Sequence, residues 1–371
     1  MRMHLQNEEQ RKDRAEKNGK KKKVKWKSGR RKNAKQSKRE KVREKEERER
    51  NMRDLYIAAC AKKEEAGGIY HYKMDDAGEC SFCEKTALDQ PMYLAIQNGR
   101  MYVLLRDAFG GDESGMMSFA IGEDGSLHSP SETLSTQGKV ACHIWVEGEE
   151  ILAVNYVSGS FIKYPGKLVT HEGKGIHPLR QEGPHTHYIC VTPDKKYICV
   201  TDLGLDKIFF YDRDQNEAFS IAMPQGHGPR HLIFSRDGRY LYCVNELKST
   251  VSVIAYDGEH SRLLHTYNAL PEDFRGENLA AAIRIRGDEL YVSNRGHDSI
   301  AVFGIKGDEL ALKGFFPVGK EPRDFHIAGD LLISADMGDN RVTFYKITEN
   351  GMERQPAALE NIPVPLCVVY Q

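Results

Sequence analysis

A repeating unit constrains this chain more than any other feature. An apolar strand, a turn of polar residues and Gly, a second strand ending in Asn or Asp, and a third strand recur along it. The clearest copies are His187 to Val191 with Tyr197 to Asp202 and Lys207 to Tyr211, and His231 to Phe234 with Tyr240 to Asn245 and Thr250 to Tyr256. First strands fall near residues 92, 142, 187, 231, 283, 325 and 367, spaced 42 to 52 residues apart. A period of about 40 to 50 residues carrying several short strands is the signature of a β-propeller, built from four-stranded blades around a channel. The apolar runs are short, rich in β-branched and aromatic residues, and bounded by Asp-Gly, Gly-Asp and Pro-Asp turns, which excludes helical repeats.

The final copy, Leu366 to Tyr370, lacks its outer strands. Leu55 to Ala59 and Gly68 to Tyr72 are available to supply them. The expected fold is therefore all-β: a seven-bladed propeller over residues 52–371, with its seventh blade closed by both ends of the chain so that no sheet edge stays open.

Charge divides the chain in two. The 54 Lys and Arg balance 54 Asp and Glu, yet residues 1–51 carry 22 basic against 9 acidic residues, leaving a propeller of net −13. This +13 tail has few apolar side chains and is expected to be disordered. Three readings of it stand: a solvated extension, a stretch upstream of a true start at Met52, or an electrostatic arm for RNA or another anionic surface. Peptides from residues 11–45 in the native protein would sink the start at Met52. No apolar run reaches the roughly 18 residues of a spanning helix, and no apolar signal region follows the basic start. The eight Cys include four within apparent strands, Cys190, Cys199, Cys243 and Cys367, as expected of reduced thiols in a cytoplasmic protein. Cys80 and Cys83 form a CxxC pair without a second pair at zinc spacing, and no metal is expected there.

In each blade the first two strands are antiparallel, so the start of the first and the end of the second lie at one end of the propeller. Strand starts carry His185, His187, Arg230, His231 and Arg323; strand ends carry Asp202, Glu246 and Arg295. One such residue alone reads as a solvated loop position or half of a blade-to-blade ion pair. Eight at one mouth of an acidic body make a local cationic concavity, which favours an anionic ligand. His185 and His187, two apart, would share a face of a regular strand, but no carboxylate at ligand spacing completes a metal site. The chain has no G-x-S-x-G, no P-loop and no dinucleotide fingerprint. What remains is His and Glu acid–base chemistry with Arg charge stabilisation.

Six strings carry a family resemblance: Pro184-His-Thr-His187, Thr201-Asp-Leu-Gly204, Gly228-Pro-Arg-His231, Val244-Asn-Glu246, Tyr291-Val-Ser-Asn-Arg-Gly-His-Asp298 and Pro322-Arg-Asp-Phe325. In these the chain resembles the lactonase family of seven-bladed propellers, which includes propeller-type 6-phosphogluconolactonases and carboxymuconate-lactonizing enzymes. The resemblance covers about residues 52–371 and departs from the family pattern in the first two blades, where Ala58-Ala59-Cys60 replaces Gly-Thr-Tyr. It implies a hydrolase for a small anionic sugar lactone, 6-phosphogluconolactone foremost; no cofactor and no membrane partner are expected, and a monomer is expected, as is common for propellers. It assigns His187, Arg230, Glu246 and Arg295 to catalysis, and His185, Asp202, His231 and Arg323 are expected to bind substrate. In that scheme Arg323 and Arg295 clamp the anion, Arg230 polarises the lactone carbonyl, and Glu246 or His187 takes the proton of water. Arg230→Ala is then expected to cut turnover with little effect on melting temperature. The alternatives are a lyase that closes muconate-type acids to lactones, and a non-catalytic propeller binding a peptide or protein.

Overall fold

The computed structural model describes Arg14, residues 52–75 and residues 78–371. The basic tail, apart from Arg14, lies outside the described residues. From Arg53 onward the chain forms one unit of seven sheets. Six of them follow chain order from innermost to outermost strand. Their innermost strands are Pro91–Gln97, Ala141–Glu147, Thr186–Val191, Pro229–Phe234, Leu279–Arg286 and Pro322–Ala328, which define blades 1 to 6.

Blade 7 has Pro365–Tyr370 innermost, followed by Arg53–Ala59, Gly68–Met74 and Cys80–Ala87. Leu55 pairs with Tyr370 and Ile57 with Val368, so the two ends of the propeller are stitched by a β-ladder. The third outer strand was not anticipated. It holds the CxxC pair: Cys83 sits at a bulge, exposed, and both thiols are free. Outer strands escape sequence reading because they are half exposed: Glu217–Ala222 buries one residue of six, whereas Ile198–Asp202 buries all five. Weak burial leaves a weak apolar pattern.

The core lies between blades. Alternate side chains of neighbouring sheets interdigitate, for instance Ile144, Leu152 and Phe161 of blade 2 against Ile189, Val200 and Phe209 of blade 3. Each fully buried side chain of this size contributes roughly 1.5–3 kcal/mol.

The feature that shapes the channel is a β-bulge repeated in all seven innermost strands. Pairing skips Met92, Cys142, His187, Arg230, Arg323 and Leu366, and in blade 5 Ala281 and Ala282 together oppose Ser293. In five blades the residue before the strand is left-handed: Gln90, Val140, Gly228, Glu321 and Val364 have φ between 46° and 66°. For Val, β-branched, such a φ is an uncommon and strained state. Proline follows in four of the five, at 91, 229, 322 and 365, where its missing N–H costs nothing because it begins the strand. At Gly228 a Cβ would stand 2.7 Å from Leu247 Cγ, so glycine is required there. Each bulge breaks the regular alternation, and in four blades the side chain so freed, Met92, Cys142, His187 or Arg323, lines the cavity at the mouth.

Candidate active site

The bulges sort the sequence-predicted residues. A cavity of about 390 Å³ at the mouth is lined by His187, Glu246, Arg295 and Arg323, together with Arg106, Arg180, Tyr156 and the apolar Met92, Val140, Cys142, Val157 and Leu279. Arg230, His185, Asp202 and His231 are not on its wall.

Glu246 organises the site. Its Oε2 accepts from Arg230 Nε at 2.8 Å and Arg295 Nη2 at 2.9 Å, and its Oε1 accepts from Arg180 Nη2 at 2.6 Å. Burial opposes ionisation, but the charges of Arg295 and Arg230, with His187 and Arg180, hold this carboxyl well below the usual range. Arg230 and Arg295 are fixed on their other sides as well: Arg230 donates to the Ala281 carbonyl at 2.8 Å, and Arg295 to those of Leu279 and Ala280 at 3.3 Å. Burial, Arg295 and Arg323 pull Arg230 down to about 9, which leaves it protonated at neutral pH.

His187 is buried, and its Nδ1 lies 3.9 Å from Cys142 Sγ. Burial, reinforced by Arg230, lowers it well below the ordinary histidine value, so it is neutral near pH 7. Burial pushes the Cys142 thiol up to about 12, which removes it as a nucleophile. Arg323 makes no ion pair or side-chain hydrogen bond with the described residues.

The remaining expectations meet different surroundings. Asp202 is fully buried; its Oδ1 accepts from the backbone N–H groups of His185, Gly204 and Leu205, and its Oδ2 pairs with His171 Nδ1 at 2.6 Å. It clamps the blade 3 loops and is not placed to meet a ligand. His185 and His187 do not share a face, because the bulge at His187 separates them. His185 stacks on Tyr156 at 4.5 Å, outside the cavity wall. His231 lies one step deeper, among Tyr93, His143, His187 and Tyr188. Among the described residues no three His, Cys, Asp or Glu are grouped to hold a metal ion. Arg230 is buried behind Glu246, so truncating it takes one of three cations from a buried carboxylate; a loss of stability replaces the little-changed melting temperature expected from sequence.

Arg180, Arg106 and Tyr156 escaped the sequence reading. Arg180 comes from residues 171–185, an irregular segment between blades 2 and 3 with no counterpart in the repeat. Its neighbours Asn155-Tyr156 occupy the second-strand end of blade 2, the position that gives Asn245-Glu246 in blade 4, so that alignment was the signal available.

The pattern described as "Lactonase, 7-bladed beta-propeller" matches residues 54–370. The chain belongs to this lactonase family. Uncharacterised proteins of Staphylococcus aureus are 34% identical over 321 residues, covering 80% of this chain and 93% of theirs. Among solved structures, a Lactobacillus plantarum protein superposes with a TM-score of 0.79 at 28% identity, covering 86% of this chain and 99% of that one. A Bacteroides uniformis protein proposed to be a 6-phosphogluconolactonase gives 0.79 at 26% identity, covering 86% and 100%. This lactonase-family chain has, among its described residues, no helix long and apolar enough to cross a membrane.

Proposed function

We propose that the protein hydrolyses a small anionic lactone, with 6-phosphogluconolactone as its substrate. The observation that carries the reading is the charge balance of the cavity. Four arginines line it, its single carboxylate is already engaged by three guanidiniums, and among the described residues Arg323 is left without a partner. A substrate phosphate or carboxylate docks on Arg323 with Arg106 beside it. Neutral His187 takes a proton from water as the water oxygen bonds to the lactone carbonyl carbon. The oxyanion that forms faces the Arg295 guanidinium. When it collapses, the ring C–O bond breaks and His187 returns its proton to the departing oxygen, giving a hydroxy acid. Glu246, silenced as a base by its arginines, holds them in place, and Arg230 backs it from behind.

The name of the Bacteroides uniformis relative supports a phosphorylated sugar lactone. The apolar side of the cavity, Met92, Val140, Cys142 and Val157, favours a second reading: a carboxylate lactone with few hydroxyls, opened or closed by the same groups. A reducing compartment such as the cytoplasm fits the free thiols.

The test is acid release from freshly prepared 6-phosphogluconolactone, neutral gluconolactone and a muconolactone, each followed at constant pH. The phosphorylated lactone is expected to turn over fastest, and His187→Gln to lower its kcat by roughly 10²–10⁴ with the melting temperature unchanged. Loss of all three lactones at the uncatalysed rate would refute hydrolysis. Preference for muconolactone would transfer the site to the second reading.

A further inference from the structure

Three arginines hold Glu246, and they are not equivalent. Arg230 and Arg295 are side-chain buried to 3% and 8% exposure and bonded to backbone carbonyls; Arg180 is 31% exposed, and among the described residues its guanidinium bonds only Glu246 Oε1 and, at 3.2 Å, the Tyr156 hydroxyl. The first two are built into blades 4 and 5. Arg180 is carried by the 171–185 segment, which is tied down by its backbone and by neighbouring side chains; the Arg180 backbone N–H itself donates to His177 Nδ1 at 3.2 Å. The Gln181 amide donates to the Leu203 carbonyl at 2.8 Å, its backbone N–H donates to the His177 carbonyl, and the Asp202–His171 pair fixes the segment's start. Immediately before Arg180, Leu179 is 80% exposed, so its side chain is left largely uncovered by the described residues.

We infer that Arg180 is an exchangeable latch. In the resting site it neutralises Glu246 Oε1 across the mouth. An entering substrate anion, attracted by Arg323, takes the Arg180 guanidinium from Glu246 and is clamped from the solvent side, while Arg230 and Arg295 keep Glu246 ionised. Exchange costs little electrostatically, because one charge-assisted pair replaces another. The segment 171–185 thereby orders the substrate from above, and Arg180 is a positioning residue that discriminates anionic from neutral lactones. This inference rests on the anionic-lactone reading of the same cavity.

Inorganic phosphate serves as the probe, with wild type, Arg180→Gln, Arg180→Lys and the loop control Leu179→Ser compared. Arg180→Gln is expected to weaken phosphate binding about tenfold and raise KM for the phosphorylated lactone by a similar factor, as for loss of one charge-assisted hydrogen bond. Its kcat stays within about threefold, Arg180→Lys recovers part of the loss, and Leu179→Ser matches wild type. Phosphate also changes deuterium uptake of peptides covering 176–183 in wild type. Unchanged phosphate affinity and KM in Arg180→Gln overturns the latch even if lactone hydrolysis stands. Unchanged deuterium uptake overturns the exchange in favour of a fixed clamp. If Arg180→Gln misfolds, Arg180→Lys decides: wild-type KM and melting temperature together with unchanged deuterium uptake refute the proposal. Phosphate binding that needs Arg180 in a protein that opens no lactone removes the functional reading and leaves the latch.

Discussion

Two arcs of the channel mouth are built by the same backbone device and do opposite things. Going round the ring, the bulge residues of blades 7, 1 and 2 are Leu366, Met92 and Cys142, whereas those of blades 3, 4 and 6 are His187, Arg230 and Arg323. The strand entry is similar on both sides, down to the left-handed residue and the proline that follow one another at Gln90-Pro91, Glu321-Pro322 and Val364-Pro365. The bulge is therefore a feature of the fold, and the side chain placed on it is the variable that writes chemistry. One arc supplies charge, the other a dry wall that strengthens every charge facing it.

The comparison breaks most violently at Glu246. Glu246→Ala leaves Arg230 and Arg295 buried without their carboxylate and is expected to cost about 3–5 kcal/mol in urea unfolding, besides abolishing turnover; a loss below about 1 kcal/mol would show that the charged arc is not held by this residue.

Acid should discriminate the arcs next, because the polar side depends on neutral imidazoles. Burial lowers His143, His187 and His231 well below their ordinary value, and His326 to about 4. A base lowered on folding binds fewer protons folded than unfolded. Its stability is thus complete above the unfolded value of about 6.5 and declines as pH falls below it, by up to about 1.4 kcal/mol per pH unit for each group. Asp336, raised to about 6 by burial, runs the other way and offsets roughly one of the four. Unfolding free energy that stays flat from pH 7.5 to 5.5 would contradict neutral imidazoles in the channel.

Arg323→Ala removes a cation that has no ion-pair partner among the described residues to orphan. KM for the phosphorylated lactone is expected to rise about tenfold, as for one lost charge-assisted bond, while the melting temperature holds or rises slightly as repulsion with Arg230 is relieved. A fall in melting temperature with unchanged KM would make Arg323 structural. The smallest effect belongs to the apolar arc: Cys142→Ala should keep kcat within about twofold, because a thiol raised so far forms no thiolate nucleophile. A large loss of kcat would move Cys142 into the chemistry.

Much of this was legible in the sequence. The second strands of the blades are buried on both faces by neighbouring blades, so Ile198–Asp202 or Tyr240–Asn245 read as continuous apolar runs with a polar terminus. That periodicity located seven blades, the closure by both chain ends and the mouth where His187, Glu246, Arg295 and Arg323 meet. Rank within the mouth was not legible. Asp202 aligns with Asn245, one step before the position of Glu246, yet it ties loops while Glu246 gathers three guanidiniums. Arg180, in a segment outside the repeat, gave no periodic signal at all.

The sequence by itself determined the architecture, because burial imposes a two-residue alternation and blade stacking imposes a period, and both are written in residue order. Only the tertiary structure decided which charges spend themselves on one another. Arg180, Arg230 and Arg295 converge on Glu246 from three different stretches of chain, while Arg323, on an equivalent bulge, does not. Coulomb pairing depends on separations of a few ångströms across blades, and separation in space is what a linear order of residues leaves open.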